Sequence, residues 1–132
     1  MTTVGDVLTK IFALLPTPSL GTGKTFDRWY KYAYPDGHSA PYFGVLNTLT
    51  VPVDPIQDVD ININFFAADI DTSRGIPDLS ALNAAATSVV TALHNINDNE
   101  VDIEFRFMSI IRDETANRHY MNMRFVVVYI NN

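Results

Sequence analysis

Hydrophobic and polar residues alternate one by one along two segments near the C-terminus, 100–111 and 119–130. Alternation with a period of two, rich in aromatic and β-branched residues, is typical of a strand with one face in a core. The intervening segment 112–118 is polar, with no apolar residue larger than Ala116, so the two strands are predicted to pair as a long antiparallel hairpin. The predicted core-facing residues of its first strand are Val101, Ile103, Phe105 and Phe107. A hairpin is not stable alone, so more strands or a helix must cover its apolar face.

Three segments upstream of the hairpin also have the composition of strands, and they cover residues 25–34, 42–51 and 58–68. The third alternates most cleanly, and its predicted core-facing residues are Val59, Ile61, Ile63 and Phe65. The second contains Gly44, which is a candidate β-bulge. These segments are the strands predicted to extend the hairpin into a sheet.

The segment 25–34 is rich in aromatic residues, and neither of its two faces is cleanly apolar. We predict that a partner chain covers one face, since aromatic residues and Arg are enriched at protein interfaces. The alternative is that the tyrosines pack at the rim of the core with their hydroxyl groups in water. The candidate interface residues are Trp29, Tyr30, Tyr32, Tyr34, Tyr42 and Arg74.

Apolar residues recur at helical spacing over residues 4–15 and 79–94, which predicts two amphipathic helices. Pro16 ends the first helix, and Asp78 caps the second. The order of elements is then α-β-β-β-α-β-β, and the length of 132 residues fits one domain. We therefore predict a single-domain α+β fold with a mainly antiparallel sheet, a long C-terminal hairpin and two packed helices.

The composition narrows the classes of function. The net charge is −6 with nine Lys and Arg residues spread along the chain, whereas a nucleic-acid binder usually has a basic face. The absence of cysteine excludes disulfides, thiolate metal sites and a cysteine nucleophile. The N-terminus lacks the basic region of a signal peptide, and no segment approaches the ~18 apolar residues of a membrane span. We expect a soluble protein.

Two motifs that suggest chemistry have simpler explanations. The sequence GTGKT at 21–25 matches the end of the phosphate-binding loop pattern, but the glycine required five residues before Gly23 is Pro18, and a strand pattern follows instead of a helix. We interpret it as a flexible turn. The histidines His38, His94 and His119 are scattered and form no metal-binding spacing. We predict no cofactor and no metal site.

Four carboxylates form two pairs spaced two residues apart, Asp58 with Asp60 and Asp102 with Glu104. Such pairs can perform acid–base chemistry or hold a divalent ion. Here they alternate with core residues, which favours the solvated face of a sheet. No catalytic residue is predicted, since Ser39 beside His38 is not a catalytic pair and no nucleophile-elbow pattern occurs.

The order of elements resembles that of the tail-terminator and tail-completion (neck, head-to-tail joining) proteins of tailed bacteriophages. The resemblance spans the helix 4–15, the Pro41-Tyr42 entry into a strand, the strand 58–68, the polar connection 69–77, the helix 79–94 and the hairpin 100–130. It implies a structural virion protein, assembled in the host cytoplasm, that forms a hexameric ring at the tail and neck junction. Its partners would be other copies, tail-tube proteins and neck or connector proteins. DNA would pass through the ring without being specifically bound, past a lumen that the four carboxylates could line.

Two other classes of function compete with the ring. A non-enzymatic adaptor would bind a different protein through its aromatic strand, and a small α+β enzyme would need a pocket with convergent polar groups. The ring hypothesis further predicts that Trp29 or Arg74 lies at the subunit interface.

Overall fold

The computed structural model of the protein describes residues 4–35, 38–48, 56–97 and 101–130. The helices are α1 (Val4–Leu14) and α2 (Leu79–Leu93), and the strands are β1 (Trp29–Lys31), β2 (Tyr42–Thr48), β3 (Ile56–Ala68), β4 (Ile96–Asn97), β5 (Val101–Asp113) and β6 (Arg118–Ile130). The strands form one sheet in the order β1-β2-β3-β6-β5-β4. β1 runs parallel to β2, and all other neighbours are antiparallel. The predicted single-domain α+β fold is therefore confirmed.

Most of the core lies between the two helices and one face of the sheet, which we call the inner face. The alternation in β3 and β6 gives this face its buried residues Val59, Ile61, Ile63, Phe65, Met121, Met123, Phe125 and Val127. Val7, Leu8 and Ile11 on α1 are also buried. In α2, Ala81 and Ala85 are fully buried, and small residues let a helix approach a sheet closely. Each large apolar side chain contributes about 1.5–3 kcal/mol when it is fully buried.

The first predicted strand, 25–34, is much shorter in the structure, where β1 is only Trp29–Lys31. Tyr32 ends the strand because its backbone has φ +69°, a left-handed conformation that does not continue a ladder. Gly44 is not a bulge, since β2 pairs with β3 without interruption. Its role is spatial: a Cβ on Gly44 would lie 2.0 Å from Cζ3 of Trp29, so the indole fills the place of the missing side chain.

The hairpin is longer than predicted and contains an irregularity. A β-bulge lies between Phe105 and Phe107, where Arg106 has no partner on β6. One extra residue moves all later side chains to the opposite face. The prediction that Phe107 faces the core is therefore wrong, and Phe107 is instead 49% exposed on the outer face of the sheet.

A second, smaller apolar cluster covers part of the outer face and is called the outer cluster. It consists of Phe43, Val45 and Phe66, with Tyr30, Tyr34 and Tyr120 packed against them. The guanidinium of Arg118 lies 4.9 Å from the ring centroid of Phe66 and 5.2 Å from that of Phe43. The aromatic residues of the segment 25–34 are thus divided between the two faces of the sheet.

The N-terminus of α2 is held by a three-way contact at Asp78. This carboxylate accepts a hydrogen bond from the Ala81 backbone N–H, and it binds the Lys24 ammonium at 3.0 Å and the Tyr42 hydroxyl at 2.9 Å. Lys24 of the GTGKT sequence therefore serves as an ion-pair partner for a helix cap. Burial favours the protonated acid, but the hydrogen bonds from Ala81, Lys24 and Tyr42 outweigh it and hold the pKa of Asp78 below its usual value.

This contact should make the stability depend on pH. A carboxyl group whose pKa is lowered by folding contributes stability above its unfolded pKa of about 4, and that contribution is lost as the pH falls through the folded pKa. Asp78→Asn keeps a capping side chain but loses the charge. We expect the variant to be less stable than the parent at neutral pH, by a difference that narrows under acid conditions. Urea unfolding across pH, with the exposed Asp102→Asn as control, measures this; a difference independent of pH would contradict it.

Candidate assembly surface

One half of β5 is exposed on both faces and along its edge. β4 pairs only with Ile103 and Asp102, so within the described residues the edge of β5 has no strand beside it from Glu104 onward. We call the segment Arg106–Arg112 the exposed half of β5. Its large apolar side chains and their exposed fractions are Phe107 (49%), Met108 (39%), Ile110 (40%) and Ile111 (39%).

The bulge causes this exposure on both faces. Beyond it, Met108 and Ile110 are directly opposite the inner-face residues Met123 and Met121, whereas Phe107 and Ile111 lie on the outer face. Beside Met108, a groove of about 330 Å³ runs along α2 and is lined by Asn83, Ala86, Thr87, Val90 and Thr91. An exposed strand edge with apolar side chains is a template for pairing with another chain.

The other end of the sheet is also an edge, and it belongs to β1. In the order of strands, β1 has a single neighbour, β2. A groove of about 520 Å³ opens on α1 and β1, lined by Phe12, Leu15, Thr17, Phe26, Asp27, Arg28 and Trp29. We call the segment Asp27–Tyr32 the β1 edge. Within the described residues the sheet therefore has two incomplete ends, and each one combines a strand edge that lacks a neighbouring strand with apolar side chains.

The structure places the predicted interface residues in different surroundings. Trp29 is only 9% exposed and donates its indole N–H to the Pro16 carbonyl at 2.8 Å. Its side chain packs in the core of the protomer, and its assignment to a partner interface stays a prediction. Tyr42 is half-buried and contacts Asp78. Tyr30 and Tyr34 are half-buried in the outer cluster.

Two of these residues remain available at the surface. Tyr32 is 56% exposed at the β1 edge. Arg74 is exposed in the connection before α2, and its guanidinium lies 4.0 Å from the Asp71 carboxylate. The left-handed Gly75 beside it lies close to the Arg112 guanidinium, so the connection lies near the end of β5.

The predicted acidic residues lie on the outer face. Asp60, Asp102 and Glu104 are exposed there, and they flank Val126 and Val128 of β6. The Glu104 carboxylate lies 3.7 Å from the Arg106 guanidinium. Asp58 belongs to β3, and its side chain lies outside the described residues. The acidic face is close to the bulge but separate from the aromatic outer cluster.

Among the described residues, no group of three or more His, Asp or Glu side chains could hold a metal ion. His119 instead contacts the Asp69 carboxylate at 2.6 Å, which joins the connection after β3 to β6. Neither helix of the described chain is long and apolar enough to cross a membrane.

Sequence reasoning missed the exposed half of β5. One signal was available: from Phe107 to Ile111 the strict alternation fails, and four of five residues are large and apolar. A strand that is apolar on both faces is either fully buried or an interface. The position of the bulge, which decides which residue faces which way, has no comparable signal.

Comparisons with known proteins identify a shared fold. A chain in the virion of a native gene transfer agent particle aligns with 92% of this chain and 84% of its own length, with a TM-score of 0.54 and 17% sequence identity. No protein-family model matches the sequence. No curated protein matches it either. The chain therefore shares its fold with a chain of a gene transfer agent virion.

Proposed function

We propose that the protein is a structural component of a tailed phage or phage-like virion, which assembles into a ring of six copies at the junction of tail and neck. The observation that carries this proposal is the pair of incomplete sheet ends, at β1 and at the exposed half of β5. In a heterologous contact, one end of a molecule binds the other end of the next copy. Such contacts generate a ring when the rotation from copy to copy closes. The fold shared with a gene transfer agent virion chain supports a role in a particle of this kind.

In this proposal the outer face of the sheet lines the channel and the helices lie outside. The exposed carboxylates Asp60, Asp102 and Glu104 would then face the DNA. Their charge repels phosphate groups, so DNA passes through the ring without being held. The rims of the ring would contact tail-tube proteins on one side and neck or connector proteins on the other. This arrangement suits two roles in the particle, that of a tail terminator and that of a tail-completion protein.

The mass of the purified protein in solution tests the ring. We expect light scattering across a concentration series to show a closed species of six times the 14.8 kDa chain, and electron microscopy of that species to show a central channel. A monomer at every concentration would contradict self-assembly into a ring. It would favour the adaptor, which binds a different protein.

A further inference from the structure

We propose that the exposed half of β5 pairs antiparallel with the β1 edge of a second copy, in a register that places Ile110 beside Trp29. This inference deepens the proposed ring and rests on it. Its basis is the register of the strand pairs in the sheet, which determines the level and the direction of β5 relative to β1 within one molecule.

The two ends lie at the same level. Following the paired residues across the sheet from Trp29 leads through Gly44, Phe65 and Met121 to Ile110. The next two rows connect Tyr30 to Ser109 and Lys31 to Met108 in the same way. A second copy can therefore continue the sheet with no shift along the strands. A heterologous interface closes into a ring when the rotation between copies closes without a shift along the ring axis, and it produces a helical filament when it does not close.

The directions of the strands also agree. One parallel and three antiparallel pairings separate β1 from β5, so the two strands run in opposite directions within one molecule. The proposed contact between copies is therefore antiparallel, like most of the sheet. The inner face of one copy then continues as the inner face of the next copy, and the helices of the two copies lie on the same side of the sheet.

The side chains at the two ends are complementary along these rows. Met108 and Ile110 would approach the groove on the inner face of the next copy, which Phe12, Leu15, Phe26 and Trp29 line. Phe107 would lie next to the exposed ring of Tyr32, since its row through Arg124, Asn62 and Asn47 follows the row of Lys31. Aromatic pairs of this kind contribute to cross-strand stability.

The charges of the two copies are complementary at the end of the contact that contains Arg112. Arg112 shares its row with His119, Ala67 and Tyr42, and the Asp27 backbone N–H donates to the Tyr42 carbonyl. The exposed Asp27 of one copy would therefore lie beside the exposed Arg112 of the next. A pairing of two β5 strands about a two-fold axis centred on Ser109 would instead place Arg112 opposite Arg106, with like charges together.

Cysteine cross-linking tests the register directly, because the natural chain has no cysteine. Directly opposite residues on paired strands have Cα atoms about 4.5–5.5 Å apart, within the range of a disulfide. We expect Lys31→Cys and Met108→Cys proteins to form a cross-linked dimer when mixed and oxidised, but not separately. Within one molecule the two positions are about 19 Å apart, at ~4.8 Å per strand, so no internal link competes.

A mixture of Lys31→Cys with Ser80→Cys, which is exposed on α2, controls for random collision. Cross-linking no stronger than in this control would overturn the proposal. So would efficient cross-linking of a Ser109→Cys protein with itself, which indicates the two-fold arrangement. A six-copy ring without the 31–108 link would refute the interface and leave the proposed function intact. The link in a species of any other mass would support the interface and refute the ring of six.

A charge at the edge provides a second test. We expect Ile110→Lys to weaken assembly about tenfold or more, since an interface centre tolerates a lysine poorly. At a concentration where both proteins are monomeric, its thermal unfolding should stay close to that of the parent. Ile70→Lys is the matched control, because Ile70 is 68% exposed in the connection after β3 and belongs neither to the exposed half of β5 nor to the β1 edge. Unchanged assembly of the Ile110→Lys protein would contradict the proposal.

Discussion

Trp29→Ala is expected to lower the free energy of unfolding by about 3–5 kcal/mol, the usual range for truncating a buried tryptophan. The indole fills the space above Gly44, lies 5.1 Å from the Phe26 ring and donates a hydrogen bond to the Pro16 carbonyl. The substitution removes all three contacts and leaves a cavity between β1 and α1. Chemical denaturation at a concentration where the protein is monomeric measures the loss, which should already be present there because these three contacts lie within one chain.

The matched control is Tyr32→Ala, which removes an exposed aromatic side chain from the same segment. We expect it to change the stability of the fold by no more than about 0.5 kcal/mol. Gly44→Ala provides the complementary test, since the added methyl group must displace the indole, at a cost of about 1–3 kcal/mol. Combined with Trp29→Ala, it should cost less than the sum of the two. A Trp29→Ala protein that unfolds like the parent would contradict this packing.

Trp29 also shows what the sequence could and could not predict. The alternation of apolar and polar residues predicted β3 and β6 and the face of each that lies on the core. It could do so because each of these long strands has one face on the core, which produces a period of two in the sequence. The segment around Trp29 has no such pattern, since its rings are shared between the core and the outer cluster. The space that receives the indole is created by Gly44, which is 15 positions later in the sequence and is adjacent only after β1 pairs with β2.

The candidate assembly surface depends on the same kind of information. The apolar residues after Phe105 are visible in the sequence, but the face each occupies is set by the bulge at Arg106. The two sheet ends lie at the same level because of the registers of four successive strand pairs. No local sequence pattern encodes the combined effect of these four registers. The outer cluster also escapes local patterns, because it brings Arg118 to Tyr34, 84 positions away.

Arg118→Met is expected to destabilise the protein by about 3–5 kcal/mol, since it breaks a largely buried ion pair by removing one partner. Arg118 is 9% exposed at the first position of β6. Its guanidinium donates to the Asp113 carboxylate at 2.8 Å and to the Tyr34 hydroxyl at 2.7 Å, and it lies over three aromatic rings. Methionine retains much of the apolar stem but leaves the carboxylate and the hydroxyl without this donor.

Two variants separate the sources of this effect. Arg118→Lys keeps the charge but lacks the planar group that binds two acceptors and stacks on rings, so we expect it to recover only part of the stability. Tyr34→Phe removes one hydrogen bond and retains the ring. In a double-mutant cycle with Arg118→Met, we expect a coupling energy of about 0.5–3 kcal/mol, as for residues in one network. Additive effects would show that the hydroxyl contact contributes nothing.

The pH dependence gives an independent measurement of the same contact. Burial alone would raise the pKa of Asp113, but hydrogen bonds from Thr115 and Arg118 outweigh it and lower the pKa. The parent should therefore lose stability as the pH falls through the folded pKa of Asp113, and Arg118→Met should lose less over the same range. Because Asp113 and Arg118 flank the hairpin turn, the hydrogen bonds of Arg118 to Asp113 and to Tyr34 fix the end of β5 against the outer face. We therefore expect Arg118→Met to weaken assembly as well. If the variant unfolds at a lower denaturant concentration than the parent but assembles equally well, the ring does not depend on the Arg118 contacts.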